Sequence, residues 1–300
     1  MKRIALGSAV AVVLLTALAF GQAAEQYLDV YIAQVKPDKR ADFDALNKRM
    51  VAANRQNKGD TWITMETMYG PANRVTFIST RDGYADVEKG MDAFEGALQK
   101  ALGKTATDKM MQEYSQCLVS VRTELRRRRW DLSSNAPADA AAMSKMLGES
   151  RWLRTATVRV KPGQVAVFEG LLKDLKTARE KASPPVTTLV SQAVAGQEGT
   201  VFYITLLEKS LAGFEGIPSV QQLLGDEGYA KYLKTNADVV DRTETVINRF
   251  LPELSNVPEQ VAAASPDYWT PKPVVAAKSK PAGGMTNAAE ANKMGDKDKH

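Results

Sequence analysis

The chain has 300 residues and a formal net charge of +5 at neutral pH, from 40 Lys and Arg against 35 Asp and Glu. So small an excess of positive charge does not require nucleic acid or an acidic polymer as the partner. The single cysteine, Cys117, excludes an intramolecular disulfide, so the folded chain depends on packing for its stability.

Residues 1–24 have the pattern of a secretory signal peptide. Met1-Lys2-Arg3 is positively charged, an apolar run follows over residues 4–20, and small residues end the segment at Ala23-Ala24. The alternative is an N-terminal membrane anchor, but the apolar run is shorter than the roughly 20 residues that a spanning helix needs. No later segment has the length and hydropathy of a membrane span. We therefore expect a periplasmic or secreted protein.

Residues 25–132 predict a first α+β unit with the order strand, helix, strand, strand, helix, strand. The first strand alternates apolar and polar residues, and the helix that begins near Pro37 has apolar residues at spacings of three and four. The turn sequence Gly70-Pro71-Ala72-Asn73 separates two β-rich runs and predicts a hairpin. The predicted elements cover residues 27–36, 37–51, 62–69, 74–80, 84–116 and 118–128, and the helical stretch 84–116 is expected to be interrupted at Gly103.

The rest of the chain predicts a linker, a second unit and a tail. Residues 133–150 are rich in Ser and Ala and predict a linker with room for one short helix, and residues 151–254 repeat the element order of the first unit. We expect the Pro-, Ala- and Lys-rich residues 255–300 to be disordered, because they bury too little apolar surface to offset the cost of ordering. Tyr268-Trp269 is the one part of this tail that could dock on the folded units. The predicted elements of the second unit cover residues 152–161, 165–181, 186–195, 200–207, 211–234 and 239–250.

Repeated sequences indicate that the two units arose by duplication. The offset between them falls from about 126 to about 120 residues along the chain. The matched sequences are Val35-Lys36-Pro37 with Val160-Lys161-Pro162, residues 74–78 with 200–204, Arg122-Thr123-Glu124 with Arg242-Thr243-Glu244, and Arg129-Trp130 with Arg249-Phe250.

The element order is the ferredoxin-like pattern, an antiparallel sheet with helices on one face, and its open face needs a partner. We therefore predict an α+β fold in which tandem ferredoxin-like βαββαβ repeats pair as one pseudo-twofold α/β barrel. With a V-K-P step after the first strand of each unit, the chain resembles the dimeric α/β-barrel superfamily, which includes the antibiotic-biosynthesis monooxygenase-like domains. The resemblance implies that the two repeats pair within one chain, which would then be a monomer. It also implies a pocket in which related monooxygenases oxidise a substrate without metal or flavin.

The only histidine is His300, the last residue of the chain. Metal sites of the His-Cys type, a histidine haem ligand and nucleophile pairs that use histidine all lack their central residue. The sequence also has no calcium loop and no glycine-rich phosphate loop. We expect no metal and no organic cofactor. Because some members of the superfamily use a pocket histidine, no catalytic residue is carried over to this chain.

The first strand of each unit predicts which residues face the barrel interior. One face is apolar in both units and should lie under the helices, so the opposite face should line the barrel. That face is apolar in the first unit and polar in the second, where it carries Thr155, Thr157 and Arg159, as a pocket for an amphipathic molecule would be. The alternative is that a solvated strand face has tolerated threonine without any function.

The repeated Arg-Thr-Glu supplies further candidate ligand-binding residues. Arg122 with Glu124, and Arg242 with Glu244, are two residues apart and share a strand face. They could bind a polar group, and the second pair would then be the more important because its surroundings are polar. Alternatively, they could be solvated ion pairs that contribute little to stability. Trp62 and Glu66 also alternate onto one face of their strand and complete the candidates.

The run Arg126-Arg127-Arg128-Arg129 suggests nucleic-acid binding at first sight. On a strand, however, alternate arginines face opposite sides and make a poor phosphate track, so a charged strand end is the favoured interpretation and no nucleic-acid partner is expected. The sequence predicts an exported small-molecule-binding or accessory envelope protein. The alternative is a cofactor-independent monooxygenase-like enzyme that acts on a small amphipathic substrate.

Overall fold

The computed structural model describes residues 26–270. The predicted signal peptide and the part of the predicted tail after residue 270 lie outside the described residues. The described chain folds into these elements: β1 (Tyr27–Val35), α1 (Arg40–Asn57), β2 (Ile63–Tyr69), β3 (Arg74–Arg81), α2 (Tyr84–Leu102), α3 (Lys104–Gln116), β4 (Leu118–Arg128), α4 (Ala140–Glu149), β5 (Trp152–Val160), α5 (Val165–Lys181), β6 (Leu189–Ala195), β7 (Thr200–Glu208), α6 (Val220–Val239), β8 (Val240–Phe250), α7 (Glu259–Ala264) and α8 (Pro266–Trp269).

The eight strands form one closed antiparallel barrel in the order β1-β3-β2-β8-β5-β7-β6-β4. Each unit supplies four neighbouring strands, and the barrel closes where β2 pairs with β8 and β4 pairs with β6. Since β1 and β5 lie four strands apart in an antiparallel ring, they run in the same direction. The fold is therefore α+β, with the barrel interior enclosed by strands of both units.

The helices cover the outer face of the barrel and bury an apolar core on each side. In the first unit Phe43 and Met50 of α1 pack with Val75 of β3, and the lone Cys117 is buried in the same cluster. In the second unit Phe168 of α5 packs against Phe202 of β7, with ring centroids 5.2 Å apart. Within residues 26–270, none of the helices combines the length and hydropathy that crossing a membrane requires.

The pairing of β3 with β1 and of β7 with β5 shows that the sequence match between β3 and β7 is out of register. Gln34 lies opposite Arg74, whereas Arg159 at the equivalent position of β5 lies opposite Val201. The chain between the paired residues Gln192 and Phe202 is therefore one residue longer than the chain between Glu66 and Val75. The predicted match of residues 74–78 with 200–204 is wrong by one residue, so Tyr203, not Phe202, is equivalent to Thr76.

The last strand of each unit, β4 or β8, also does not align as the repeated Arg-Thr-Glu sequence predicts. Val30 of β1 lies opposite Glu124, but the equivalent Thr155 of β5 lies opposite Val246. The positions of Glu124 and Glu244 therefore differ by two residues along equivalent strands. The match between the two Arg-Thr-Glu sequences does not reflect equivalent positions, although an even shift keeps both glutamates on the same face.

The segment after β8 is folded as far as residue 270, and the prediction that residues 255–270 are disordered is wrong. Trp269 is 1% exposed, and its indole nitrogen donates to the carbonyl oxygen of Gly148 over 2.8 Å. The Tyr268 hydroxyl donates to the carbonyl oxygen of Phe250 over 2.9 Å. The segment is ordered because α4 and the end of β8 provide the apolar partners that its own composition lacks.

Helix α4 is the short helix for which the predicted linker has room. Its N-cap is Asp139, whose carboxylate accepts a hydrogen bond from the backbone nitrogen of Ala142 over 2.8 Å. A Cβ atom on Gly148 would lie 2.4 Å from the carbonyl oxygen of Val261, so only glycine lets α4 and α7 approach this closely. Linker and C-terminal segment thus pack together at one end of the barrel.

Candidate functional site

The barrel encloses a cavity of about 490 Å³ to which all eight strands contribute side chains. Where β1 and β5 begin, an apolar cluster of Met65, Leu153 and Phe250 lines the cavity, and Leu147 and Val261 from α4 and α7 close this end. The C-terminal segment therefore forms part of the cavity wall.

The other end of the barrel, where β1 and β5 finish, is rich in arginine. Arg74, Arg122, Arg159 and Arg242 all line the cavity there, and Arg159 lies directly opposite Arg242. The side chain of Arg122 is 50% exposed, and Arg242 is also exposed. This end is therefore accessible to solvent.

Glu124 is the centre of a buried polar network beside the cavity. Its carboxylate is completely buried and accepts hydrogen bonds from Arg126 Nε at 2.8 Å, Tyr203 Oη at 2.6 Å and Gln197 Nε2 at 2.7 Å. Arg122 Nε lies 2.8 Å from the other side of the carboxylate. The guanidinium of Arg126 also lies flat over the ring of Tyr203, 3.5 Å from its centroid.

This network fixes the protonation state of its members. Burial alone would raise the pKa of Glu124, but Arg126, the Tyr203 hydroxyl and Arg122 together outweigh it and lower that pKa below its usual range. Burial and the adjacent carboxylate raise the pKa of Tyr203 to about 12. Glu124 is therefore an ionised anchor for Arg126, and Tyr203 keeps its proton at neutral pH.

Arg128 lies two residues further along the same face of β4, towards the apolar end. Its side chain lines the cavity, and its Nε atom is buried without a hydrogen-bond acceptor. Burial and the neighbouring Arg126 lower the pKa of Arg128 to about 10, so it still carries its charge at pH 7. By contrast, Arg129 is neutralised on the outer side by Asp131 at 2.7 Å and Glu169 at 2.6 Å.

The candidates of the second unit lie around the cavity but do not form the expected pair. Thr155, Thr157 and Arg159 line it, as do Arg242 and Glu244. Glu244, however, has Arg74 as its ion-pair partner at 3.8 Å, and its side chain is 40% exposed. The expectation that the second copy provides the more important polar site is corrected: the two-residue shift in register places the buried network on Glu124.

Trp62 and Glu66 occupy different places. Trp62 borders the cavity, and its indole nitrogen donates to the carbonyl oxygen of Leu254 over 2.8 Å. Glu66 does not line the cavity but ties the outer side of β2 to Arg40 at 3.0 Å and Arg249 at 2.6 Å. Its placement with the ligand-binding candidates is corrected, because β2 begins after Trp62 and the alternation of the strand does not include it.

Sequence reasoning missed Arg126, Arg128 and Tyr203 as part of the site. The signal was the period of two on β4, which places Arg122, Glu124, Arg126 and Arg128 on one face. Residues 26–270 contain no group of three or more His, Cys, Asp or Glu side chains that could hold a metal ion. The candidate site is thus an arginine-rich cavity with few carboxylates to balance the positive charge.

Fold and site together define an α+β protein with a closed eight-stranded barrel around a basic cavity. No protein-family model matches the chain, and no curated protein sequence matches it significantly. Among solved structures, it is similar to a proposed monooxygenase from Fusobacterium nucleatum subsp. nucleatum, with a TM-score of 0.47 and 12% identity over 76% of this chain and 94% of that one. An anthrone oxidase-like protein gives a TM-score of 0.47 and 13% identity over 77% and 92%.

A mutant chlorite dismutase from Candidatus Nitrospira defluvii gives a TM-score of 0.43 and 11% identity, over 80% of this chain and 94% of that one. TM-scores below 0.5 at such identities do not establish a family. The function therefore has to be argued from the cavity itself.

Proposed function

We propose that the barrel binds a small amphipathic molecule in its cavity. The observation that carries this proposal is the open interior of about 490 Å³, with an apolar cluster at the closed end, four arginines at the other end, and Arg126 and Arg128 on β4 towards the closed end. Eight-stranded barrels have an interior that is either filled by side chains or able to hold one small ligand, and this volume lies within the usual range of ligand sites. A barrel that served only as a scaffold could fill its interior with side chains.

We further propose that the two units are tandem ferredoxin-like repeats, paired in one chain as in the dimeric α/β-barrel superfamily. The support is the strand order within each unit, which is fourth, first, third, second in both halves. Each half then covers the open sheet face of the other, and covalent linkage supplies the partner at high effective concentration. A monomer is the expected state.

A cofactor-independent monooxygenase-like enzyme is the second candidate function. It is favoured by Arg126 and Arg128, whose side chains line the cavity. Such groups would stabilise negative charge that develops on a bound substrate. The two functions differ in one measurement: a binder releases its ligand unchanged, whereas an oxygenase consumes dioxygen and releases a product heavier by oxygen.

Filling the cavity is expected to abolish binding without unfolding the protein. Thr155 is buried on the cavity wall, with its hydroxyl 3.3 Å from that of Thr205, and a tryptophan at this position would occupy the space of a ligand. The neutral fluorophore N-phenyl-1-naphthylamine should bind the wild-type protein once, and T155W should not bind it. The matched control is T245W, the same substitution at an exposed position of β8. Unchanged binding by T155W would refute a ligand site inside the barrel.

We also propose that the protein is exported. The support is the charged start and apolar run of residues 1–24, and cleavage is expected to leave a chain that begins near Ala24 or Glu25. Intact-mass measurement on protein from the extracytoplasmic fraction checks this expectation. Retention of Met1 on that protein would contradict it.

A further inference from the structure

The cavity wall carries more positive than negative charge. Six arginines line it, and within the described chain they form ion pairs with three carboxylates, those of the buried Glu124, of Glu244 and of the exposed Glu198. We propose that the ligand is an organic anion with an apolar body, and that its carboxylate, sulfonate or phosphate group binds Arg128 and Arg126. This inference rests on the proposed function, because it names the class of molecule that the cavity takes.

Arg128 is the first support. Its guanidinium has no hydrogen bond or ion pair with a described residue, and its Nε atom is buried. Burying a charge without a partner is costly, and proteins seldom retain one without a use. An anion in the cavity would supply the missing partner through charge-assisted hydrogen bonds.

Neighbouring groups form the rest of a polar site. Arg126 shares the face of Arg128 and is held in place by Glu124 and by the ring of Tyr203. Ser191, which is 3% exposed, lies opposite Arg128 on β6 and also lines the cavity. The ring of Trp130 lies 5.8 Å from the guanidinium, and its Nε1 atom is a second buried donor without an acceptor.

The second unit shows why the charge is not part of the barrel architecture. Leu28 lies opposite Arg126, and the equivalent Leu153 lies opposite Asn248, so the position of Arg128 is equivalent to that of Phe250. Phe250 is 2% exposed and packs against Trp269. An apolar residue therefore satisfies the fold at this position, and the arginine of β4 needs another explanation.

The test compares two fluorophores that share one ring system and differ by a sulfonate. We expect 8-anilinonaphthalene-1-sulfonate to bind the wild-type protein more tightly than the neutral N-phenyl-1-naphthylamine. R128M should weaken sulfonate binding at least about tenfold, the size expected for a hydrogen bond between charged groups, and leave the neutral probe unaffected. R49M, at an exposed position of α1, removes the same charge outside the barrel and is the matched control.

Stability provides a second readout. If Arg128 serves a ligand, R128M should melt at a higher temperature than the wild type in the absence of probe, because it removes an unpaired charge whose Nε atom is buried. A purely structural arginine would give a lower melting temperature. Equal binding of the sulfonate by the wild type and R128M would overturn the inference while the neutral probe still supports a binding cavity. Failure of both probes to bind the wild type would refute the proposed function and this inference with it.

Discussion

Replacing Glu124 with leucine is expected to destabilise the protein by about 3–5 kcal/mol, because it leaves Arg126 buried without its counter-charge. Arg126 is 9% exposed and has the carboxylate as its ion-pair partner at 2.6 Å. The free energy of unfolding in urea measures the loss. The matched control is E244L, which removes the other glutamate of the repeated sequence at a side chain that is 40% exposed. For that surface pair we expect a loss of roughly 0–1 kcal/mol.

The pH dependence of the same comparison follows from the lowered pKa of Glu124. A carboxyl whose pKa is lower in the folded state contributes stability that is complete above its ordinary value of 4.5 and is lost as the pH falls through the folded value. The difference between the wild type and E124L should therefore be constant near neutrality and shrink below about pH 4.5. Equal losses for E124L and E244L would show that the buried network has no special role.

Replacing Trp269 with alanine is expected to cost about 3–5 kcal/mol, the range for a large aromatic residue in a core. The ring packs on Phe250 at 5.8 Å between centroids, and its hydrogen bond to Gly148 holds the C-terminal segment on α4. Urea unfolding measures the stability, and limited proteolysis after residue 255 reports release of the segment. Y69A is the control, since Tyr69 is 60% exposed and should change stability by less than about 0.5 kcal/mol. Similar stability of W269A and Y69A would mean that the segment contributes nothing to the fold.

Local patterns were sufficient to predict most of the elements and the cavity-facing side of β5. The alternation of β5 places Thr155, Thr157 and Arg159 on one side, and the structure puts all three on the cavity wall. Such patterns depend only on neighbouring residues, with a period of two for strands and about 3.6 for helices. They can therefore be recognised without knowing which distant residues the strand or helix contacts.

Register and docking could not be predicted in the same way, because both depend on residues far apart in the chain. The two Arg-Thr-Glu sequences match letter by letter, yet the pairing of β4 with β1 and of β8 with β5 puts them two residues out of step. The composition of residues 255–270 suggests disorder, but Trp269 finds its partners on α4 and β8. The register of β4 and β8 is decided by the strands with which they pair, and the docking of Trp269 depends on Gly148, which is 121 residues away in the sequence.

The difference in sequence between the two linked units gives the cavity a direction. In a barrel built from two identical chains, every wall residue appears twice, and any molecule inside has two equivalent poses related by the twofold axis. Here the position of Arg128 on β4 is equivalent to that of Phe250 on β8. If a charged ligand bound in the opposite pose, its acidic group would therefore lie against the buried phenyl ring of Phe250. A bound molecule should therefore adopt a single orientation and always present the same end to the solvent.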